Sequence, residues 1–166
     1  MAEAELRIGV IGAGRWANMA HLPAWKRDPR CRLVAVCDVD GELAEKAARD
    51  YEIPSSTGDA NELLANGDID VIDVVTGDHS HFDLTMAALE AGKHVLVEKP
   101  VAHEFRDTLR ARDVAGGRRN LVLACRLLGE LAVDVAHRDD PAARVALPRG
   151  KVGHVRPTPR ADHSDS

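Results

Sequence analysis

The sequence predicts an α/β fold, a doubly wound parallel sheet with helices on both faces, and three observations carry that expectation. Short runs rich in Val, Ile and Leu alternate with longer segments of helical periodicity. The runs are apolar almost throughout rather than at every second residue, as in strands covered on both faces. Connections between them are brief and marked by Gly, Pro, Asp or Ser, with no internal repeat and no low-complexity tract.

In chain order, strands are expected at residues 6–11, 33–37, 69–75, 94–97 and 121–124, with a weaker one near Ile53. Helices are expected at 42–51, 61–66, 82–91 and 103–114. In the third of these Phe82, Met86 and Leu89 stand at i, i+4 and i+7, and Gly92 follows as a C-terminal stop. Beyond Cys125, residues 126–145 read as a helix interrupted by Pro141, residues 148–157 hold a possible strand start, and the last ten read as a disordered end.

With 166 residues the chain has room for one domain, or one domain and part of another. A composition of 45% hydrophobic and 30% charged residues can bury a core and argues against wholesale disorder. The longest apolar stretches are broken within a few residues by Asp, Glu, Gly or Lys, well short of the roughly 18 that a membrane span needs. The N-terminal residues carry two glutamates before the first arginine, unlike a basic leader, so a cytoplasmic location is expected. Cys31, Cys37 and Cys125 show no C-x-x-C spacing and are odd in number, which fits reduced, buried thiols and neither a disulfide framework nor a zinc knuckle.

Charge divides unevenly. Residues 1–100 hold 10 basic and 18 acidic side chains, whereas residues 101–166 hold 12 and 9. The basic part contains one aromatic residue, Phe105, and so lacks a base-stacking platform; nucleic acid is not an expected partner. His79 and His81 flank Ser80, but no further ligands converge on them in the sequence, and no metal site is expected.

Chemistry enters at the end of the first strand, where Gly12-Ala13-Gly14-Arg15-Trp16-Ala17 forms a G-x-G-x-x-A turn into a helix. Gly12 suits the tight turn, Gly14 lets a pyrophosphate approach the backbone, and Ala17 permits close packing of helix on sheet. Free N–H groups and the helix dipole at such a turn attract phosphate. Glycine spacing alone also fits an ordinary strand-to-helix turn. The context is more specific, because the second strand ends in Asp38, 24 residues after Gly14, near the spacing at which an acid receives the adenosine ribose hydroxyls. That carboxylate would repel the 2′-phosphate of NADP, and Val39-Asp40 supplies no cation to offset it, so NAD is expected over NADP. Asp40 is better placed than Asp38 to cap the helix that follows.

At the fifth strand the residues Ala91-Gly92-Lys93-His94-Val95-Leu96-Val97-Glu98-Lys99-Pro100 resemble a known family, the glucose-fructose oxidoreductase, inositol dehydrogenase and MocA (Gfo/Idh/MocA) family of nicotinamide-dependent sugar and polyol oxidoreductases. The likeness begins at GVIGAGRWA, takes in His21-Leu22-Pro23, VAVCDVD and TGDHSH, and runs to about Cys125; a weaker match follows at residues 150–156. It implies a Rossmann fold in which Gly12, Gly14, Arg15 and Trp16 line the pyrophosphate and Asp38 the ribose. Thr76 and His81 would belong to the loop beside the cofactor, and Glu98 and Lys99 to the nicotinamide end. Lys99 is the residue implied to touch substrate, its ammonium favouring the alkoxide that develops during hydride transfer. Without Glu98 and Pro100 beside it, Lys99 would read as a surface lysine at a strand end. The family usually has Pro where this chain has Gly77, which implies a more mobile loop after Thr76.

The expected organisation is a dinucleotide-binding domain at residues 1–125 and, at 126–166, a truncated start of the substrate domain with a disordered tail. Members of the family are about twice as long or more, with an Asp/His-containing motif and most oligomer contacts in the second half. Asp134 and His137 do not reproduce that motif, being spaced i, i+3 without its glycines, and fit two polar residues on a solvated helix face. The expected function is therefore the NAD-binding domain of a sugar or polyol oxidoreductase, with little or no activity in the isolated chain. A non-catalytic dinucleotide-binding module, or a remnant lacking the catalytic domain, is the rival reading.

Overall fold

The structure, a computed structural model, describes residues 5–118 and 122–124. They form a six-stranded, fully parallel sheet: β1 (Leu6–Ile11), β2 (Cys31–Cys37), β3 (Ser55–Thr57), β4 (Val71–Val74), β5 (His94–Val97) and β6 (Val122–Ala124). Their spatial order is β3-β2-β1-β4-β5-β6. Chain order therefore reverses between β1 and β4, and the carboxyl ends of these two strands flank the crevice in which doubly wound sheets bind ligands.

The helices are α1 (Leu22–Arg27), α2 (Gly41–Tyr51), α3 (Ala60–Ala65), α4 (His81–Glu90) and α5 (Phe105–Arg118). Alternation along the strands divides the core in two. On one face Ile8, Val10, Leu33, Val36, Val71 and Val75 meet Ala17, Leu22 and Ala47. On the other, Ile11, Ile72, Val74, Val95 and Val97 meet Leu63, Ala88 and Leu89. Pairing of β1 with β2 shifts between Ile8↔Leu33 and Gly9↔Ala35, leaving Val34 as an extra residue. Val34 and Ala35 consequently pack toward the same core, and the alternation resumes at Val36.

Helix ends follow their side-chain chemistry. Asp40 accepts the N–H of Glu42 at the start of α2, and Asp59 that of Asn61 at the start of α3. Past α4, Gly92 has φ +77° and donates to the carbonyl of Leu89, the left-handed stop expected there. The buried side of α4 is rotated from the apolar spacing, however: His81, Thr85, Met86, Ala88 and Leu89 are buried and Phe82 is half-buried. Of the two polar residues on that face, His81 finds hydrogen-bond partners in the loops around it, which hydrophobicity cannot register, whereas the Thr85 hydroxyl has none among the described residues.

The 3-residue strand β3 takes the place of the weak strand expected near Ile53, and β4 is shorter than the apolar run that encodes it. The largest departure lies after the glycine turn, where the chain is helical from Arg15 to Arg27 but π-helical from Ala17 to His21. No helix among the described residues is long and apolar enough to cross a membrane. Residues 126–145, the possible strand start at 148–157, Cys125, Asp134 and His137 lie outside the described residues.

Candidate functional site

β1 ends at Ile11, and Gly12 turns the chain with φ +105°, a conformation that an L side chain rarely adopts. A Cβ there would stand 2.6 Å from the carbonyl oxygen of Val75, so the turn is pressed against the end of β4. Gly14 is different. Its backbone has no positive φ, and a Cβ built on it would meet nothing within 4 Å. The first glycine is needed by the fold, and the second leaves a bare patch of backbone beside the crevice. Ala17, wholly buried, lets the helix settle on the sheet.

Asp38 emerges at the end of β2 and reaches back to this turn. Its Oδ2 accepts the N–H of Ala13 at 2.7 Å, and its Oδ1 accepts the N–H of Asp40 at 3.0 Å. A carboxylate offers about four acceptor positions, so two backbone donors leave capacity for ribose hydroxyls. Arg15 and Trp16 are exposed on the first helical turn. With Gly14, Lys46 and Tyr51, Arg15 lines a groove of about 450 Å³ between the turn and α2.

The loop after β4 is drawn together by its own polar groups. Thr76 Oγ1 lies 2.7 Å from Ser80 Oγ, and the Ser80 hydroxyl donates to the carbonyl of Gly77 at 2.9 Å. His81 is 2% exposed, with Nδ1 2.8 Å from the carbonyl of Pro100 and Nε2 3.0 Å from that of Thr76. The imidazole thus ties the loop after β4 to the loop after β5 rather than offering a nitrogen to the crevice. Glu98 and Lys99 follow β5, the carboxylate half-buried and the lysine exposed, with a cis peptide bond between Lys99 and Pro100.

Two of the residues singled out in the sequence meet across the switch point. Trp16 Nε1 donates to Glu98 Oε1 at 2.9 Å, joining the helix after β1 to the end of β5, while Asp38 and the glycine turn lie on the other side. Below this bridge lie His21, noted in the sequence only as part of a short motif, and Asp73, which had no role assigned from the sequence. His21 Nε2 lies 2.9 Å from the same Glu98 oxygen, and its Nδ1 lies 2.8 Å from Asp73 Oδ2, which also accepts the indole N–H of Trp25 at 2.6 Å. Asp73 is fully buried and His21 is 5% exposed. A lone acid within the apolar run of β4 was the available signal, since a buried carboxylate requires polar partners.

Cys37 is buried and Cys31 half-buried, both as free thiols. Burial pushes each thiol up to about 11, so both stay protonated and poorly nucleophilic near neutral pH. Among the described residues no group of three His, Cys, Asp or Glu side chains could hold a metal ion.

Open backbone at the switch point, a helix beginning beside it and an acid one strand away fit the pyrophosphate and ribose of a dinucleotide. They define a class, the nicotinamide dinucleotide-binding domain of an oxidoreductase. The chain belongs to the GFO_IDH_MocA oxidoreductase family, whose NAD-binding Rossmann fold matches residues 6–124. It is 36% identical over 151 residues to a dTDP-3,4-didehydro-2,6-dideoxy-alpha-D-glucose 3-reductase of Streptomyces violaceoruber, covering 91% of this chain and 42% of that protein. It is also 36% identical to inositol 2-dehydrogenase 4 of Saccharopolyspora erythraea, over 72% of this chain and 36% of that protein. Among solved structures it resembles KijD10, a 3-ketoreductase from Actinomadura kijaniata in complex with NADP and TDP-benzene. That match has 28% identity and a TM-score of 0.70 over 72% of this chain and 37% of that one. It likewise resembles the WlbA dehydrogenase of Chromobacterium violaceum in complex with NADH and UDP-GlcNAcA, with 27% identity and a TM-score of 0.69 over 75% and 36% of the two chains. The chain spans less than half the length of these relatives. Its dinucleotide class is NAD(P).

Proposed function

We propose that this domain binds NAD in preference to NADP and presents Lys99 to a hydroxyl of a sugar or polyol for reversible hydride transfer. The observation that carries the reading is the pairing of open space over Gly14 with the carboxylate of Asp38, fastened one residue away on Ala13. Backbone N–H groups of the first helical turn and Arg15 would receive the pyrophosphate, and Asp38 the ribose hydroxyls. Neither of the residues after Asp38, the exposed Val39 and Asp40, supplies a cation that would welcome a 2′-phosphate.

The nicotinamide ring, when bound, supplies the hydride acceptor and donor. The chain's own contribution is position and charge. Glu98 and Trp16 mark the nicotinamide end, and the exposed Lys99 ammonium would stabilise negative charge developing on the reacting oxygen. Thr76 and the loop held by His81 would form the wall beside the ring. Residues 1–125 would make up this domain, and residues 126–166 would begin the part that holds substrate. The sugar and polyol class rests on the relatives, which include a sugar-nucleotide reductase and an inositol dehydrogenase.

Calorimetric titration with NADH and NADPH tests the reading directly. Saturable binding of both, tighter for NADH, is expected; no binding of either would overturn it.

A further inference from the structure

We propose that His21 and Asp73 are positioning residues for the nicotinamide end of the site, holding the carboxylate of Glu98 in its working orientation from beneath. This inference rests on the dinucleotide reading above and adds two residues to it.

Asp73 is the starting point. It stands in the middle of β4, the central strand at the switch point, with 0% exposure among Val71, Ile72 and Val74. An apolar side chain at this position would suit the surrounding core, whereas a buried carboxylate requires compensation. Its Oδ2 takes Trp25 Nε1 and His21 Nδ1, and its Oδ1 has no hydrogen-bond partner among the described residues. The acid is therefore poorly explained as a stabilising element and well placed as an anchor for the imidazole. His21 in turn faces Glu98, with Nε2 2.9 Å from Oε1. For both imidazole contacts to be hydrogen bonds, two protons must lie on them, one more than a neutral ring carries.

An independent feature of the backbone leads to the same oxygen. Trp16 and His21 are five residues apart, and in a regular α-helix such residues point about 140° away from each other. Here the helix widens to a π-turn over Ala17–His21, closed by the N–H of Leu22 on the carbonyl of Ala17. That widening brings residues five apart into line, and Trp16 and His21 both contact Glu98 Oε1. The backbone departs from α-helical geometry over the segment where two side chains converge on one carboxylate.

The two ring nitrogens can be tested separately. In His21→Asn the amide occupies roughly the place of Nδ1, toward Asp73; in His21→Gln it occupies roughly that of Nε2, toward Glu98. Each variant of the full chain is titrated with NADH and with ADP-ribose, which has the adenosine and pyrophosphate but no nicotinamide. We expect wild type to bind NADH more tightly than ADP-ribose. His21→Asn should lose about tenfold for NADH and less than about twofold for ADP-ribose, while His21→Gln keeps most of the NADH preference. Glu98→Gln should show the same selective loss, and the double variant Glu98→Gln with His21→Asn should lose no more than the worse single one. This arm keeps the test decisive if His21→Asn unfolds, because then His21→Gln and Glu98→Gln must still differ in NADH preference.

Equal loss for both ligands, no loss for either, or additive losses in the double variant would overturn the positioning role. Wild-type protein that bound ADP-ribose and NADH equally would overturn it too, leaving dinucleotide binding intact. Wild-type protein that bound neither would overturn the dinucleotide reading itself and this inference with it.

Discussion

The carboxylate of Asp38 is hydrogen-bonded to the backbone N–H of Ala13 at 2.7 Å, so the acid that ends β2 is fastened into the glycine turn that ends β1. One side chain thereby holds the turn and, in the function proposed above, also presents charge to the ribose. Removing both at once would confuse them. Asp38→Asn retains an acceptor for Ala13 and deletes the charge. At 4 Å and an effective dielectric of about 20, two unit charges repel by about 4 kcal/mol, and a screened remnant of about 1.4 kcal/mol is tenfold in affinity. Asp38→Asn is therefore expected to narrow the NADH-over-NADPH preference about tenfold with little change in melting temperature, whereas Asp38→Ala should also lower the melting temperature. Calorimetry with both cofactors, alongside thermal unfolding, checks this.

The two glycines of the turn separate fold from binding. Gly12→Ala forces a Cβ to 2.6 Å from the Val75 carbonyl at a φ of +105°, and backbone strain of that kind costs about 1 to 3 kcal/mol before any shift of β4. Gly14→Val meets no protein atom within 4 Å of its Cβ. The first substitution should lower the urea midpoint markedly; the second should leave the unfolding free energy within about 0.5 kcal/mol of wild type while NADH binding is lost. Normal NADH binding by Gly14→Val would refute the placement of the pyrophosphate.

Gly77, where the resemblance would place Pro, has φ −68° and ψ 148°, values that Pro adopts without strain. Its Cβ would approach only the exposed ring of His79, at 2.9 Å, which can swing away. Gly77→Pro should stabilise the domain by about 0.4 to 1 kcal/mol by restricting the unfolded chain. A melting temperature below that of wild type would contradict this.

Acid sensitivity should appear at the turn before β2. Arg30 donates from Nε and Nη2 to the carboxylate of Asp28, and its backbone N–H adds a third bond; side-chain and then backbone hydrogen bonding lower the Asp28 carboxyl from 3.8 to about 2. Because the folded value is depressed, the contribution to stability is present above the ordinary carboxyl range and lost as pH falls from about 4 to about 2. Arg30→Gln should be less stable than wild type near about pH 7, and the gap in urea midpoint should shrink through that window. A gap independent of pH would assign the effect to packing.

The sequence by itself determined the sheet and the position of the crevice. Short near-continuous apolar runs bounded by turn residues fit strands covered on both faces, so β1, β2, β4 and β5 and the helices α2, α3 and α4 were legible from the pattern. Gly12, Gly14 and Asp38 were singled out by their spacing and Glu98-Lys99 by resemblance; each follows a strand, and in a parallel doubly wound sheet all the strand ends open on one side. What only the tertiary structure decided is which of these groups touch. His81, one of the residues implied beside the cofactor, proved to be a buried tie between two loops, because its partners are the carbonyls of Thr76 and Pro100. Asp73 looked like one polar interruption in an apolar run, and His21 like part of a short motif. Their meeting with Glu98 joins residues 52 and 77 positions apart, and it depends on a π-turn that no residue spacing encodes. Local pattern reports which face a residue prefers, whereas a hydrogen bond across elements is settled by how helix and strand pack together.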